Sequence, residues 1–146
     1  MANTSLSAAI KATVNELKMV KQDLIISYQT TLYEIGELLV YYTPIDTGLA
    51  SSNWNVSSGQ RTEAEREPSD EGQKGALSLE AISYQVKDLY KEPLALFYNP
   101  VDYIDELDSG DLDNGGSRQA PAGMTIPTVR HVENIWMDNL QKVGII

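Results

Sequence analysis

The clearest pattern in the chain is a run of apolar positions near its start. Leu6, Ile10, Val14, Leu17, Val20, Leu24, Tyr28, Leu32, Ile35, Leu39 and Tyr42 recur at steps of three and four. Their mean spacing is that of a straight α-helix with one apolar face, about 3.6 residues. The spacing predicts a helix over 5–42, with Thr4 or Ser5 as N-cap. It should stop at Thr43, because Pro44 pushes its predecessor out of the α region. A helix of about 38 residues is roughly 57 Å long. That exceeds the diameter of a small domain. Part of it projects, or it breaks, or a neighbouring subunit covers it, and Gly36 is the expected weak point. Core packing is the plain account of the stripe, with packing of its far end on another subunit as the sharper one. A strict heptad from Ile10 runs into Lys21 and Thr31, so no coiled coil is expected.

Beyond the helix the period changes. In 43–58, Pro44 and Gly48 make a turn, Asp46 is placed to cap it, and Trp54 and Val56 alternate with polar residues as in a half-buried strand. No large apolar residue occurs between Val56 and Leu77, so 57–75 is expected to be an exposed loop. Leu79, Ile82, Val86 and Leu89 predict a second, shorter helix within 76–90. A strand follows, with Leu94, Leu96 and Tyr98 on one face or Ala95 and Phe97 on the other, ended by Asn99-Pro100. Residues 101–123 are rich in loop formers. Pro127 opens a last helix over 127–143 as a first-turn residue, with Val129, Val132, Ile135, Trp136, Leu140 and Val143 as its apolar face and Gly144 as its end. The expected fold is a single α+β domain, 1–146, in which a long N-terminal helix and a C-terminal helix pack on a small antiparallel β-sheet.

Composition narrows the function classes. The 146 residues carry 21 acidic and 11 basic side chains, a net charge of −10. Such a chain is poorly suited to gripping DNA or an anionic membrane. With no cysteine, disulfide scaffolds, thiolate metal sites and cysteine nucleophiles are excluded. A single histidine, His131, excludes sites that need two imidazoles. No 18-residue window is both apolar and uncharged, so no membrane-spanning helix is expected. Nor does the start of the chain have the basic and apolar segments of a secretory signal. These features describe a soluble protein of a reducing compartment. Folded compactly, a chain of this size exposes about 7,400 Å².

Three constellations could carry chemistry. Ile45-Asp46-Thr47-Gly48 has the apolar-Asp-Thr-Gly form of aspartic proteases, where two such aspartates share a proton across an interface. In those enzymes the loop lies between strands, whereas here a helical pattern precedes it. A dimeric protease using Asp46 is therefore the remote alternative. Asp102, Asp105, Glu106, Asp108, Asp111 and Asp113 crowd near Gly110, Gly115 and Gly116. A calcium loop needs glycine at its sixth position and glutamate at its twelfth. Counted from Asp108 these are Asp113 and Gln119, and from Asp111 they are Gly116 and Ala122. Neither frame fits, and a solvated or partner-facing acidic loop is expected. His131 is expected at the surface. No phosphate-binding glycine loop is present, and no metal, cofactor or catalytic residue is expected.

Three blocks together resemble a known family. They are Thr43-Pro44-Ile45-Asp46-Thr47-Gly48 with Trp54, then Asn99-Pro100 with Tyr103, then Gln119-Ala120-Pro121-Ala122-Gly123-Met124 before the last helix. Their order resembles that of the tail-completion, head–tail connector proteins of tailed bacteriophages, over roughly 43–136. Leu49 stands where the family commonly has arginine, and the 108–116 loop is expanded and acidic. The resemblance implies a structural virion protein of the neck, without catalysis. It would form a ring, typically of six subunits, between head connector or adaptor proteins and the tail tube protein, with viral DNA passing through unbound. A head-closure adaptor or minor tail protein is the neighbouring alternative. It also implies structural roles. Pro44, Asp46, Thr47 and Gly48 set the turn from helix to sheet, and Trp54 anchors the sheet. Asn99, Pro100 and Tyr103 shape a second turn. In the loop into the last helix, Gln119 leads, Pro121 and Gly123 fix the backbone and Met124 fills an apolar gap. The 57–75 and 102–118 segments are the expected subunit contacts, and an acidic lumen would not adhere to passing DNA.

Overall fold

The computed structural model describes residues 2–68 and 74–146, with side chains from residue 6 onward. The first element, α1, spans Ala2–Tyr42. It is one unbroken helix of 41 residues, roughly 62 Å long. It starts before Thr4 and Ser5, whose side chains lie outside the described ones, so neither backbone position is the cap that the pattern suggested. At the other end, Thr43 closes the helix. Its Oγ1 donates to the Leu39 carbonyl at 2.6 Å and its N–H bonds the Leu39 and Val40 carbonyls, after which Pro44 prevents continuation.

Only the second half of α1 is covered. Leu32, Leu39 and Val40 join the core, with Tyr28, Tyr33, Ile35 and Tyr42 packed at its edge. Leu6, Ile10, Val14, Leu17, Val20 and Leu24, the first half of the same stripe, are 40–65% exposed. The helix projects rather than breaks. The accessible surface, 9,579 Å², accordingly exceeds the ~7,400 Å² of a compact chain of this mass. Gly36 is not the weak point. A Cβ there would lie 2.7 Å from Ile82 Cδ1, so glycine is the notch that lets the next helix approach α1.

That next helix, α2, spans Ala76–Gln85 and continues as a 3-10 turn, Val86–Lys91. Ile82, Val86 and Leu89 are buried, as their spacing predicted. The sheet has two strands, β1 Asn55–Ser57 and β2 Leu96–Tyr98, paired antiparallel with Val56 opposite Phe97. A short helix, α3, Ile104–Ser109, lies where only loop was expected. The last helix, α4, spans Thr125–Lys142, with Pro127 in its first turn and Gly144 beyond its end at φ +78°. It runs antiparallel to the second half of α1. Tyr42 Oη meets His131 Nε2 at 3.4 Å at one end, and at the other Asn139 Nδ2 donates to Thr31 Oγ1 at 3.1 Å and to Glu34 Oε2 at 2.8 Å.

The seam between α1 and α4 is more polar than the pattern implied. Ser27, Thr31 and Asn139 are buried there, and Ser27 Oγ donates to the Asn139 carbonyl. Val129, assigned to the apolar face, is 61% exposed. The buried positions of α4 include Thr128 and Asn139 instead: Thr128 Oγ1 donates to the Met124 carbonyl, and Asn139 Nδ2 to Thr31 and Glu34 of α1.

The 57–75 segment is not simply an exposed loop, although its residues 69–73 lie outside the described ones. Arg66 folds back over β1. Its Nε donates to the Ser52 carbonyl at 2.8 Å, its Nη1 to Asn55 Oδ1 at 2.8 Å and its Nη2 to the Trp54 carbonyl at 2.6 Å. Asn53 holds the Arg66 backbone from both sides, accepting its N–H at 2.6 Å and donating to its carbonyl at 2.9 Å. Burial pulls the guanidinium below the usual arginine range, and the nearby Tyr98 partly offsets this. Ile82 sits at the centre of the packing at 0% exposure, so Ile82→Ala should lower stability by about 2–5 kcal/mol. The check is urea denaturation, which should show a lower midpoint at unchanged slope.

Candidate functional site

The three sequence blocks, far apart in the chain, meet on one side of the fold. The first follows α1 directly. Gly48 takes φ +83°, a conformation that glycine adopts at little cost. The chain then enters a 3-10 turn, Ala50–Ser52, with Ser52 N–H bonded to the Gly48 carbonyl. This 3-10 turn has no side-chain cap, and Thr47 Oγ1 only accepts the Leu49 N–H just before it, at 3.3 Å. Asp46, which was expected to cap the turn, is exposed and accepts no hydrogen bond among the described residues. Trp54 closes the block. It is 5% exposed, and its Nε1 donates to Thr43 Oγ1 at 2.8 Å. The end of α1 and the start of the sheet are thus tied by one buried bond. Ser78 on α2 adds a second tie, accepting the Trp54 N–H and donating to the Ser51 carbonyl.

The second block braces the first. Asn99 Nδ2 donates to the Ala50 carbonyl at 2.7 Å, and its Oδ1 accepts the Val101 N–H at 3.2 Å. Pro100 is half-buried, and Tyr103 sits at the start of α3 with its side chain facing the shared cleft. The third block clamps the first from the other side. Gln119 Oε1 accepts the Ile45 N–H at 3.0 Å, and Gln119 Nε2 donates to the Ile45 carbonyl at 3.3 Å. The side-chain amide acts as a single rung of sheet. Met124 is fully buried in the core cluster, in keeping with a gap-filling role. Gly123 has φ +69°, and a Cβ there would lie 2.0 Å from the Asp108 carbonyl oxygen, so no side chain fits.

Between the first block and the 103–119 segment lies an open cleft of about 970 Å³. Asp46, Gly48, Tyr103, Leu107, Arg118 and Gln119 are among the residues that line it. Its lining mixes apolar residues such as Ile45 and Leu107 with polar ones such as Asp46 and Arg118. The Asp46 loop follows a helix and leads into a 3-10 turn. The strand–loop–strand setting that the protease alternative requires is therefore absent at this position, and Asp46 is left as a surface carboxylate beside the cleft.

The acidic segment divides into structural and solvated parts. Asp108 does the work that no local pattern announces. Its Oδ1 accepts the N–H groups of Met124 at 2.7 Å and Thr125 at 2.8 Å, and its Oδ2 accepts from Thr125 Oγ1 at 2.7 Å. It caps α4 from another part of the chain, where a carboxylate also meets the positive end of the helix dipole. Asp111 caps the 3-10 turn Leu112–Asn114, accepting from Asp113 N–H and Asn114 Nδ2. The Asn114 bond, then the Asp113 bond, hold its carboxyl below the usual range. Asp102, Asp105, Glu106 and Asp113 are exposed. Among the described residues no group of three histidine, aspartate or glutamate side chains is placed to hold a metal ion. His131 is at the surface, beside Tyr42.

Compared with known proteins, the chain matches no family model, no curated protein and no solved structure. Two substitutions test how the site is held. Asp108→Ala removes three hydrogen bonds at the start of α4 and should cost about 1–2 kcal/mol, read as a lower thermal midpoint. Gln119→Ala should leave global stability nearly unchanged but speed hydrogen exchange at the Ile45 amide, seen residue by residue by NMR.

Proposed function

We propose that the chain is a structural subunit of the neck of a tailed bacteriophage, a ring-forming protein that completes the tail and joins the head connector to the tail tube. The observation that carries this is the convergence of the three family-like blocks. Residues separated by up to 74 positions in sequence are hydrogen-bonded to one another, as Ile45 is to Gln119, so the resemblance falls on one three-dimensional unit and not on scattered matches. The open cleft at that unit, with polar and apolar lining, is suited to receiving a loop or terminus of a neighbouring protein.

Two further features support it. Half of α1 projects beyond the body that its own chain supplies, as expected of a subunit designed to meet copies of itself. A net charge of −10 suits the wall of a channel through which DNA must slide without sticking. The protein would assemble in the host cytoplasm and reside in the virion.

Imaging of the purified protein by negative stain, with mass by light scattering, tests the proposal. Closed rings with an open centre are expected, near 97 kDa for six subunits of 16.1 kDa. Compact dimers that cleave peptides, and lose that activity on Asp46→Asn, would contradict it.

A further inference from the structure

We infer that the uncovered first half of α1 is an interface with a second copy of this chain, in which the two helices pack side by side in parallel. This deepens the neck proposal by naming the segment through which copies meet, and rests on that proposal only for the number of copies.

The apolar side of the interface is the stripe Leu6, Ile10, Val14, Leu17, Val20 and Leu24, all large side chains left 40–65% exposed. Inside its own chain α1 is covered from about Ser27 onward, where Asn139 of α4 reaches it. Contiguous apolar surface of this kind marks a contact with another macromolecule.

The charges beside the stripe say which partner and which direction. Successive residues of a helix are turned by about 100°. On that wheel Lys11 and Lys18 lie along one edge of the stripe, Lys21 falls just inside that edge, and Glu16 and Asp23 lie along the other. All five are exposed or half-exposed. When two identical helices pack in parallel, opposite edges meet, so the lysine edge of one copy faces the acidic edge of the next, with Glu16 beside Lys21. When they pack antiparallel, like edges meet and the charges repel. Edge charges of this kind set partner and orientation in helix pairs. The segment is self-complementary in parallel only. A pair packed in this way matches both edges of each copy.

The chain has no cysteine, so one introduced thiol gives an unambiguous cross-link. Ile10→Cys, within the stripe, should form a disulfide-linked dimer in high yield under mild oxidation. Ala12→Cys, on the opposite side of the helix, should form at least tenfold less. Reversing one edge with Lys18→Glu and Lys21→Glu should weaken self-association at least tenfold in sedimentation. Adding Glu16→Lys and Asp23→Lys should restore it to within a few-fold, with helix content by circular dichroism confirming that each variant folds. A wild-type protein that stays monomeric at high concentration would overturn the inference. So would equal cross-linking at positions 10 and 12, or an oligomer indifferent to edge reversal. A ring that survives edge reversal would sink this interface and leave the neck proposal standing. Association through the arm without ring closure would support the interface and sink the neck proposal.

Discussion

Among the described residues, nothing covers the first half of the longest apolar stripe in this protein. Everything else about the fold follows from how the other half is used. From Ser27 to Tyr42, α1 is packed by α4, by α2 across the Gly36 notch, and by Phe97 of β2 beside the same notch. This packed half also supplies the nucleus that a helix otherwise forms at high cost. The exposed half can propagate from it, but with no tertiary contacts to add stability. Such a segment sits at the low end of local stability, and burial of its six apolar side chains is the available gain.

The body is held by side-chain bonds to backbone that reach across the chain. Asp108 caps a helix that begins at Thr125, Gln119 pairs with Ile45, Asn99 bonds Ala50, and Arg66 returns over β1. With only two short strands, the sheet has few ladder bonds of its own, so these side chains replace them. The result is a firm platform of loops beside an open cleft. The turn carrying Asp46, Thr47 and Gly48 is held at both flanks, by Gln119 on Ile45 and by Asn99 on Ala50. A fixed loop can present a defined surface to another protein, because little conformational entropy remains to be lost on contact.

Helices and core were legible in the sequence because period and burial coincide there. Ile82, Val86 and Leu89 declared α2 and its 3-10 continuation, and Trp54 and Met124 proved to be core. The failures have a common physical cause. Asp108, Arg66 and Ser78 act through contacts distant in sequence, and composition shows them only as an acidic cluster, a charged loop and a helix serine. Asn139 and Thr31 satisfy each other inside a helix seam, which an apolar-face pattern cannot anticipate. The cap expected of Asp46 is not made: the turn has no side-chain cap, and Thr47 bonds the Leu49 N–H just before it. Gly36 was expected to weaken α1, whereas the close approach of Ile82 makes it a packing requirement. The three blocks could be picked out in the sequence, but not that they meet around a cleft.

The most direct test of the central claim is hydrogen exchange along α1 as a function of protein concentration. Amides of residues 6–24 should be weakly protected in dilute solution and gain protection as concentration rises. Those of residues 27–42 should be protected throughout. If the first segment exchanges at the same rate at every concentration, while the protein is assembled by other measures, the uncovered half of α1 is not where the copies meet.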